Sequence, residues 1–297
     1  MTEQKKVLFR GCATAILTPF KNGEIDLAAF RGLLRHQLDG GVDAIVVAGT
    51  TGEAPTLDRE ERATLFRAAV SEVSGQIPVI AGTGSNDTRH TLLFSKQAEA
   101  AGCDGVLAVV PYYNKGTEEG LYRHFSLLAD EINVPVMVYN VPSRTGGSIS
   151  VSTLKRLSEH KNIVGIKEAS GQINRCAEIV SECGEKLPLY SGNDDMVVPL
   201  ISLGGLGVIS VISNLLPRET KRMCDLALAG DFKGAAREQA RLLSLINALF
   251  CEVNPVPVKC AAELMGLCRG EVRLPLSEAL PSTKKRLTEL LCKYGLL

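Results

Sequence analysis

The chain lacks an excess of either charge: 33 Lys+Arg balance 33 Asp+Glu over 297 residues. Neither a basic face for nucleic acid nor an acidic tail is expected. No apolar run approaches the roughly 18 residues that a membrane span needs. The opening "MTEQKKVLFRGCATAILTPF" has no apolar stretch leading to a small-residue cleavage site. A cytoplasmic protein without membrane or nucleic-acid partners is the expectation. Nine cysteines are present, but never as C-x-x-C, and the four histidines form no H-E-x-x-H. The cysteines are expected to act as small buried hydrophobes, and no metal or other cofactor is expected.

What is present is an ordinary globular balance, 45% hydrophobic and 22% charged. Short β-branched runs alternate with longer helical patterns. Strands are predicted at 12–18, 44–49, 77–82, 105–110, 134–140, 163–169, 187–192 and 207–211. Between them lie stretches such as "DREERATLFRAAVSEVS", with apolar residues at helical spacing. Strand–helix alternation implies a parallel sheet with crossover helices. A doubly wound open sheet would usually carry a G-x-G-x-x-G turn after its first strand. Here that strand ends "TAILTPF". Eight units in about 220 residues fit a closed α/β (β/α)8 TIM barrel better. After Leu216 the pattern is helical only. The expected organisation is a catalytic barrel over 1–229 and a C-terminal helical extension, of roughly three helices, over 230–297.

Polar and reactive residues recur where the predicted strands stop: "GTTGE", "GTGSND", "PYYN", "YNVPSRTG", "KEASG" and "SGND". In a barrel these ends converge on one rim, where active sites sit. Gly, Ser and Asn there could simply mark loops. Tyr113, Tyr139, Arg144 and Lys167 have no such explanation.

Lys167 ends the strand "IVGIKEA". Strict alternation would put Ile163, Gly165, Lys167 and Ala169 on the inner face, and Val164, Ile166 and Glu168 on the outer one. Gly165 would then leave room beneath the lysine stem. A lysine inside a barrel loses solvent, which frees its neutral amine for Schiff-base formation with a carbonyl. The bland alternative is a strand-end lysine reaching for water. Its neighbours favour chemistry. Thr50 and Thr51 sit in a glycine-flanked turn suited to a carboxylate. The Tyr139 phenol can shuttle protons, and Arg144 can clamp a second carboxylate.

"GTTGE", "PYYNK", "YNVPSRTG", "GIKEASG", "YSGND" and "NPVPVK" occur in the order found in the dihydrodipicolinate synthase family, pyruvate-dependent members of the N-acetylneuraminate lyase superfamily. The resemblance runs from about Gly11 to near the C-terminus. It implies a (β/α)8 barrel with C-terminal helices, assembled as a homotetramer (a dimer of dimers). The implied reaction condenses pyruvate with aspartate 4-semialdehyde on the route to diaminopimelate and lysine. By resemblance Lys167 is the Schiff-base lysine, Tyr139 the relay tyrosine and Thr51 the relay threonine. Tyr113 matches the tyrosine that crosses the tight dimer interface. Arg144 matches the arginine that binds the semialdehyde carboxylate. Thr50, Gly192 and Ile209 match positions lining the pyruvate pocket.

Lysine-inhibited members bind their effector near the positions of Ala54, Pro55, Arg59, Arg62, Asn86, His90 and Tyr112. Asn86 and Tyr112 agree with that pattern. His90 replaces an acidic residue, and Arg59 replaces a histidine. An added cation repels the effector's ammonium by roughly 4 kcal/mol at 4 Å and an effective dielectric of 20, so weak or absent lysine inhibition is expected. Two rivals share parts of the pattern. An N-acetylneuraminate lyase or a 2-keto-3-deoxy-sugar-acid aldolase would keep Lys167, Tyr139 and the threonine turn, but has no use for Arg144 in "VPSRTG". A non-catalytic keto-acid-binding barrel would be expected to have lost Lys167 or Tyr139.

Overall fold

The computed structural model describes residues 5–297. Eight parallel strands close into a barrel: β1 (Gly11–Ala15), β2 (Ala44–Val47), β3 (Val79–Gly82), β4 (Gly105–Val109), β5 (Val136–Asn140), β6 (Ile163–Glu168), β7 (Leu189–Ser191) and β8 (Gly207–Ser210). Closure is made by β1, which pairs with β8 on one side and β2 on the other. All eight predicted strands are present, each shorter than expected, and the first begins one residue earlier, at Gly11. A short ribbon, Phe20–Lys21 with Glu24–Ile25, follows β1.

The helices follow in alternation: α1 (Leu27–Gly40), α2 (Arg59–Val73), α3 (Thr88–Ala100), α4 (Glu118–Glu131), α5 (Val151–Ser158), α6 (Ile173–Cys183), α7 (Val197–Ser202) and α8 (Pro217–Leu228). Several starts are set by side chains that accept from otherwise unpaired N–H groups. Asp58, just beyond the "GTTGE" turn, forms a reciprocal capping box with Glu61. Three more helices complete the chain: α9 (Phe232–Leu249), α10 (Val256–Leu264) and α11 (Pro281–Lys293). Their apolar faces are continuous with the layer between strands and helices. Leu242, Leu249, Val258 and Leu287 belong to the same buried cluster as Ile45, Val138 and Met223. The extension therefore shares the barrel's outer core and has none of its own.

A second, smaller cluster fills the barrel interior and includes Phe9, Ala13, Met137, Tyr139, Val164, Tyr190 and Ile209. Tyr190 plugs its floor: the phenol donates to Phe9 O at 2.6 Å and the two rings stack at 4.4 Å. Strict alternation along β6 fails at its start. Val164 lies in the interior cluster, whereas Ile163 lies in the outer one beside Ile166. The cause is a register shift: Val136 pairs with Ile163, but Met137 pairs with Gly165, leaving Val164 as an extra residue. Beyond the bulge the alternation holds, so Lys167 points inward and Glu168 outward.

The role expected of Gly165 also changes. A Cβ there would meet Pro188 O at 3.0 Å, the Tyr190 ring at 3.4 Å and Met137 at 3.5 Å, so this glycine makes room for the floor. Space for the lysine stem comes from Gly192, where a Cβ would lie 2.9 Å from Lys167 Cε. Of the nine cysteines, six are buried as expected. Cys268 is half-buried, and Cys251 and Cys292 are exposed on the extension, where no second layer covers them. No helix among the described residues is long and apolar enough to cross a membrane.

Candidate active site

The β5–β6 register sets Tyr139 beside Lys167 and Asn140 beside Glu168. Lys167 is buried, and its Nζ lies 4.4 Å from the centre of the Tyr139 ring. No protein acceptor takes a hydrogen bond from this ammonium among the described residues. Burial lowers its pKa to about 8; the Asp194 carboxylate opposes that shift and Arg144 adds to it. Relative to the ordinary value of 10.5, the neutral amine is enriched at pH 7.

The neighbouring charge is treated in the opposite way. Glu168, also buried, accepts from Asn140 Nδ2 at 3.1 and 2.9 Å, Ser170 N at 2.7 Å and Arg175 Nε at 2.9 Å. It fastens the end of β6 to β5 and α6. Its lone pairs are occupied, and it takes no part in the cavity.

Burial raises the pKa of Tyr139, against the opposing effects of the Thr50 hydroxyl and the Arg144 cation. The phenol therefore stays protonated and available as an acid. Thr50 also lines the cavity. Thr51, the residue expected in the relay, is 2% exposed and accepts from Asn254 Nδ2 at 3.0 Å. The turn thus presents Thr50 to Tyr139 and Thr51 to the C-terminal extension.

A cavity of about 270 Å³ opens at this rim, lined by Thr50, Tyr139, Arg144, Ala54, Arg62 and Tyr112 among others. Lys167, Thr51, Gly192 and Ile209 do not line it. Arg144, on the helical turn Pro142–Thr145, donates from Nη2 to Asn254 O at 3.1 Å. Among the described residues, the only charged side chains on the cavity wall are the guanidinium groups of Arg144 and Arg62. Such a wall suits carboxylated substrates. Arg62 is buried, donates to three backbone carbonyls, including Gly82 O at 3.2 Å, and lies 4.4 Å over the Phe94 ring.

Other residues of the expected effector patch divide. Ala54, Pro55 and Tyr112 share the cavity, whereas Arg59, Asn86 and His90 do not line it. His90 pairs with Asp87 at 3.1 Å, and Arg59 sits 4.0 Å from Glu60. Tyr113 is 88% exposed on backbone with φ of +71°, so its ring stands away from its own Tyr139.

Two functional candidates escaped the sequence reading. Asp194, within "YSGND", is buried and faces Lys167. It accepts from Val211 N and Ile212 N at 3.0 Å each, while burial pushes its pKa up. Asn254, within "NPVPVK", touches both Thr51 and Arg144. Its motif was the available signal, though nothing in its spacing ties it to a turn 203 residues away.

The comparisons agree with this geometry. The Dihydrodipicolinate synthetase family matches residues 8–293. The 4-hydroxy-tetrahydrodipicolinate synthase of Hydrogenobaculum is 47% identical over 98% of this chain and 100% of its own. The crystal structure of dihydrodipicolinate synthase from Thermotoga maritima superposes with a TM-score of 0.96 at 44% identity, covering 98% of this chain and 100% of that one. That of the Cyanidioschyzon merolae enzyme with lysine bound superposes at 0.95, with 41% identity over 98% and 100% of the two chains. An inward, unpaired lysine beside a buried tyrosine, on a chain matched from end to end at these levels, leaves one assignment: it belongs to the dihydrodipicolinate synthetase family.

Proposed function

We propose that the chain condenses pyruvate, held as a Schiff base on Lys167, with aspartate 4-semialdehyde to give 4-hydroxy-tetrahydrodipicolinate. The observation that carries this reading is Lys167 itself: a buried amine with no protein acceptor, set beside Tyr139 and given an acidity of about 8. The neutral amine attacks the keto carbon, and the carbinolamine loses water as Tyr139 protonates the departing hydroxyl. The Tyr139 phenoxide takes a methyl proton to give the enamine, which attacks the aldehyde carbon of the acceptor; the acceptor's own amine then displaces Lys167 from the imine carbon, closing the ring and freeing the lysine. Arg144 holds the acceptor's carboxylate. Thr50, which lines the same cavity wall as the phenol, fills the relay role first expected of Thr51.

We place the enzyme in the cytoplasm as a homotetramer, a dimer of dimers, with a catalytic barrel over 1–229. The partner subunit's Tyr113 completes the relay; the exposure of this side chain supports that placement. Lysine is a weak inhibitor at most, since Arg62, the charged residue that lines the cavity beside Ala54, Pro55 and Tyr112, has the wrong sign for an ammonium.

Incubation with pyruvate and sodium borohydride, followed by digestion and mass spectrometry, should place a reduced adduct on Lys167. An unmodified Lys167 would sink the imine mechanism. Turnover with aspartate semialdehyde, compared with N-acetylneuraminate, then separates the synthase from the sugar-acid aldolases.

A further inference from the structure

The C-terminal extension reaches the rim at Asn254, and this residue bonds to two groups assigned to carboxylate binding. Its side-chain Nδ2 donates to Thr51 Oγ1 at 3.0 Å, and its backbone carbonyl accepts from Arg144 Nη2 at 3.1 Å. A hydroxyl that accepts from an amide keeps its own proton for another acceptor. Thr51 is 2% exposed, and among the described residues its proton finds no protein acceptor. A buried donor left without an acceptor costs about 1–3 kcal/mol unless a ligand supplies one. Thr51, like Lys167, does not line the wider cavity, but adjoins Thr50, which does.

We propose that Asn254 is a positioning residue for both substrates. Its amide makes Thr51 an obligate donor to the keto-acid carboxylate, while its backbone carbonyl orients Arg144 toward the acceptor's carboxylate. The direction of the Asn254–Thr51 bond is the essential point. If the amide oxygen accepted from Thr51 instead, the hydroxyl would turn lone pairs toward the substrate's negative charge. The two contacts leave through different atoms, so side-chain substitution should disturb only one of them.

This role rests on the keto-acid reading of the site, and kinetics of Asn254→Ala and Asn254→Asp test it. Asn254→Ala removes the amide and should raise KM for pyruvate roughly 10-fold. Asn254→Asp, nearly isosteric, offers a carboxylate that captures the Thr51 proton. It should raise KM for pyruvate roughly 100-fold at pH 8, relaxing toward the alanine variant as the carboxyl protonates at lower pH, each value taken relative to wild type at that pH. KM for the semialdehyde should stay within about 2-fold in both, since the backbone carbonyl is retained. Melting curves and borohydride adducts at Lys167 accompany each variant. Wild-type KM for pyruvate in Asn254→Asp at every pH would overturn the proposal, and so would an equal rise in both KM values with no pH dependence. An absent adduct in the wild type would strike the keto-acid reading; a normal wild-type adduct with unperturbed variants would strike only the role of Asn254.

Discussion

Two regions of the molecule each bury a lysine, and they treat it in opposite ways. At the seam between barrel and extension, Lys259 is fully buried. It pairs with Glu53 at 2.5 Å, donates to Glu271 O at 2.7 Å and lies 4.1 Å over the Phe20 ring. Arg273 reinforces the same seam, donating from its backbone to Glu53 at 3.0 Å and pairing with Glu61 at 2.5 Å. At the rim, Lys167 lies over the face of the Tyr139 ring and has no acceptor among the described residues. Burial lowers the pKa of both lysines, but at the seam Glu53 works against the shift directly, through charge and hydrogen bond. A satisfied buried charge ties elements together; an unsatisfied one is a reagent. The seam also bears on catalysis, because Glu53 closes the "GTTGE" turn that carries Thr50 and Thr51.

The comparison breaks most sharply on replacement of the two lysines. Lys167→Ala should reduce kcat by roughly 10³-fold or more. Its melting temperature should hold or rise, because an unpaired buried cation is removed. A lysine variant that melts well below wild type would show that Lys167 is structural after all. Lys259→Met should do the reverse and lose about 3–5 kcal/mol in urea denaturation, since Glu53 is left buried and alone. Glu53→Gln in the same chain should recover most of that loss, as a double-mutant cycle would show.

The smallest effect sharpens the electrostatics of the rim. Imine formation needs neutral Lys167, so kcat/KM for pyruvate should rise with pH and level off above about 8. Asp194 favours the ammonium, so Asp194→Asn should move that limb to lower pH, by no more than about one unit. A limb that stays in place would mean that Asp194 is screened from the amine.

Much of this was readable before any coordinates. The eight strands, the rim motifs and the inward direction of Lys167 follow from periodicity and from where polar residues interrupt it. The errors were local. Val164 was misplaced because a one-residue bulge is invisible to a rule of strict alternation. Room for the lysine stem was sought two residues back along its own strand, at Gly165, when it comes from Gly192 beyond the next strand. Which way Thr50 and Thr51 each face could not be read from the sequence, because adjacent residues in a turn share a composition but not a direction.

What the sequence determined by itself is the continuous burial of eight short β-branched strands, the helices between them and the chemical identity of the groups at their ends. Those properties depend on residues near one another in the chain. Only the tertiary structure decided that Glu168 is saturated while Lys167 beside it is left unpaired. It alone brought Asn254 and Lys259 from the extension onto a turn some two hundred residues earlier. The acidity of an amine and the direction of a hydroxyl's proton depend on what surrounds them in space, and barrel closure and the docking of the last three helices supply those surroundings.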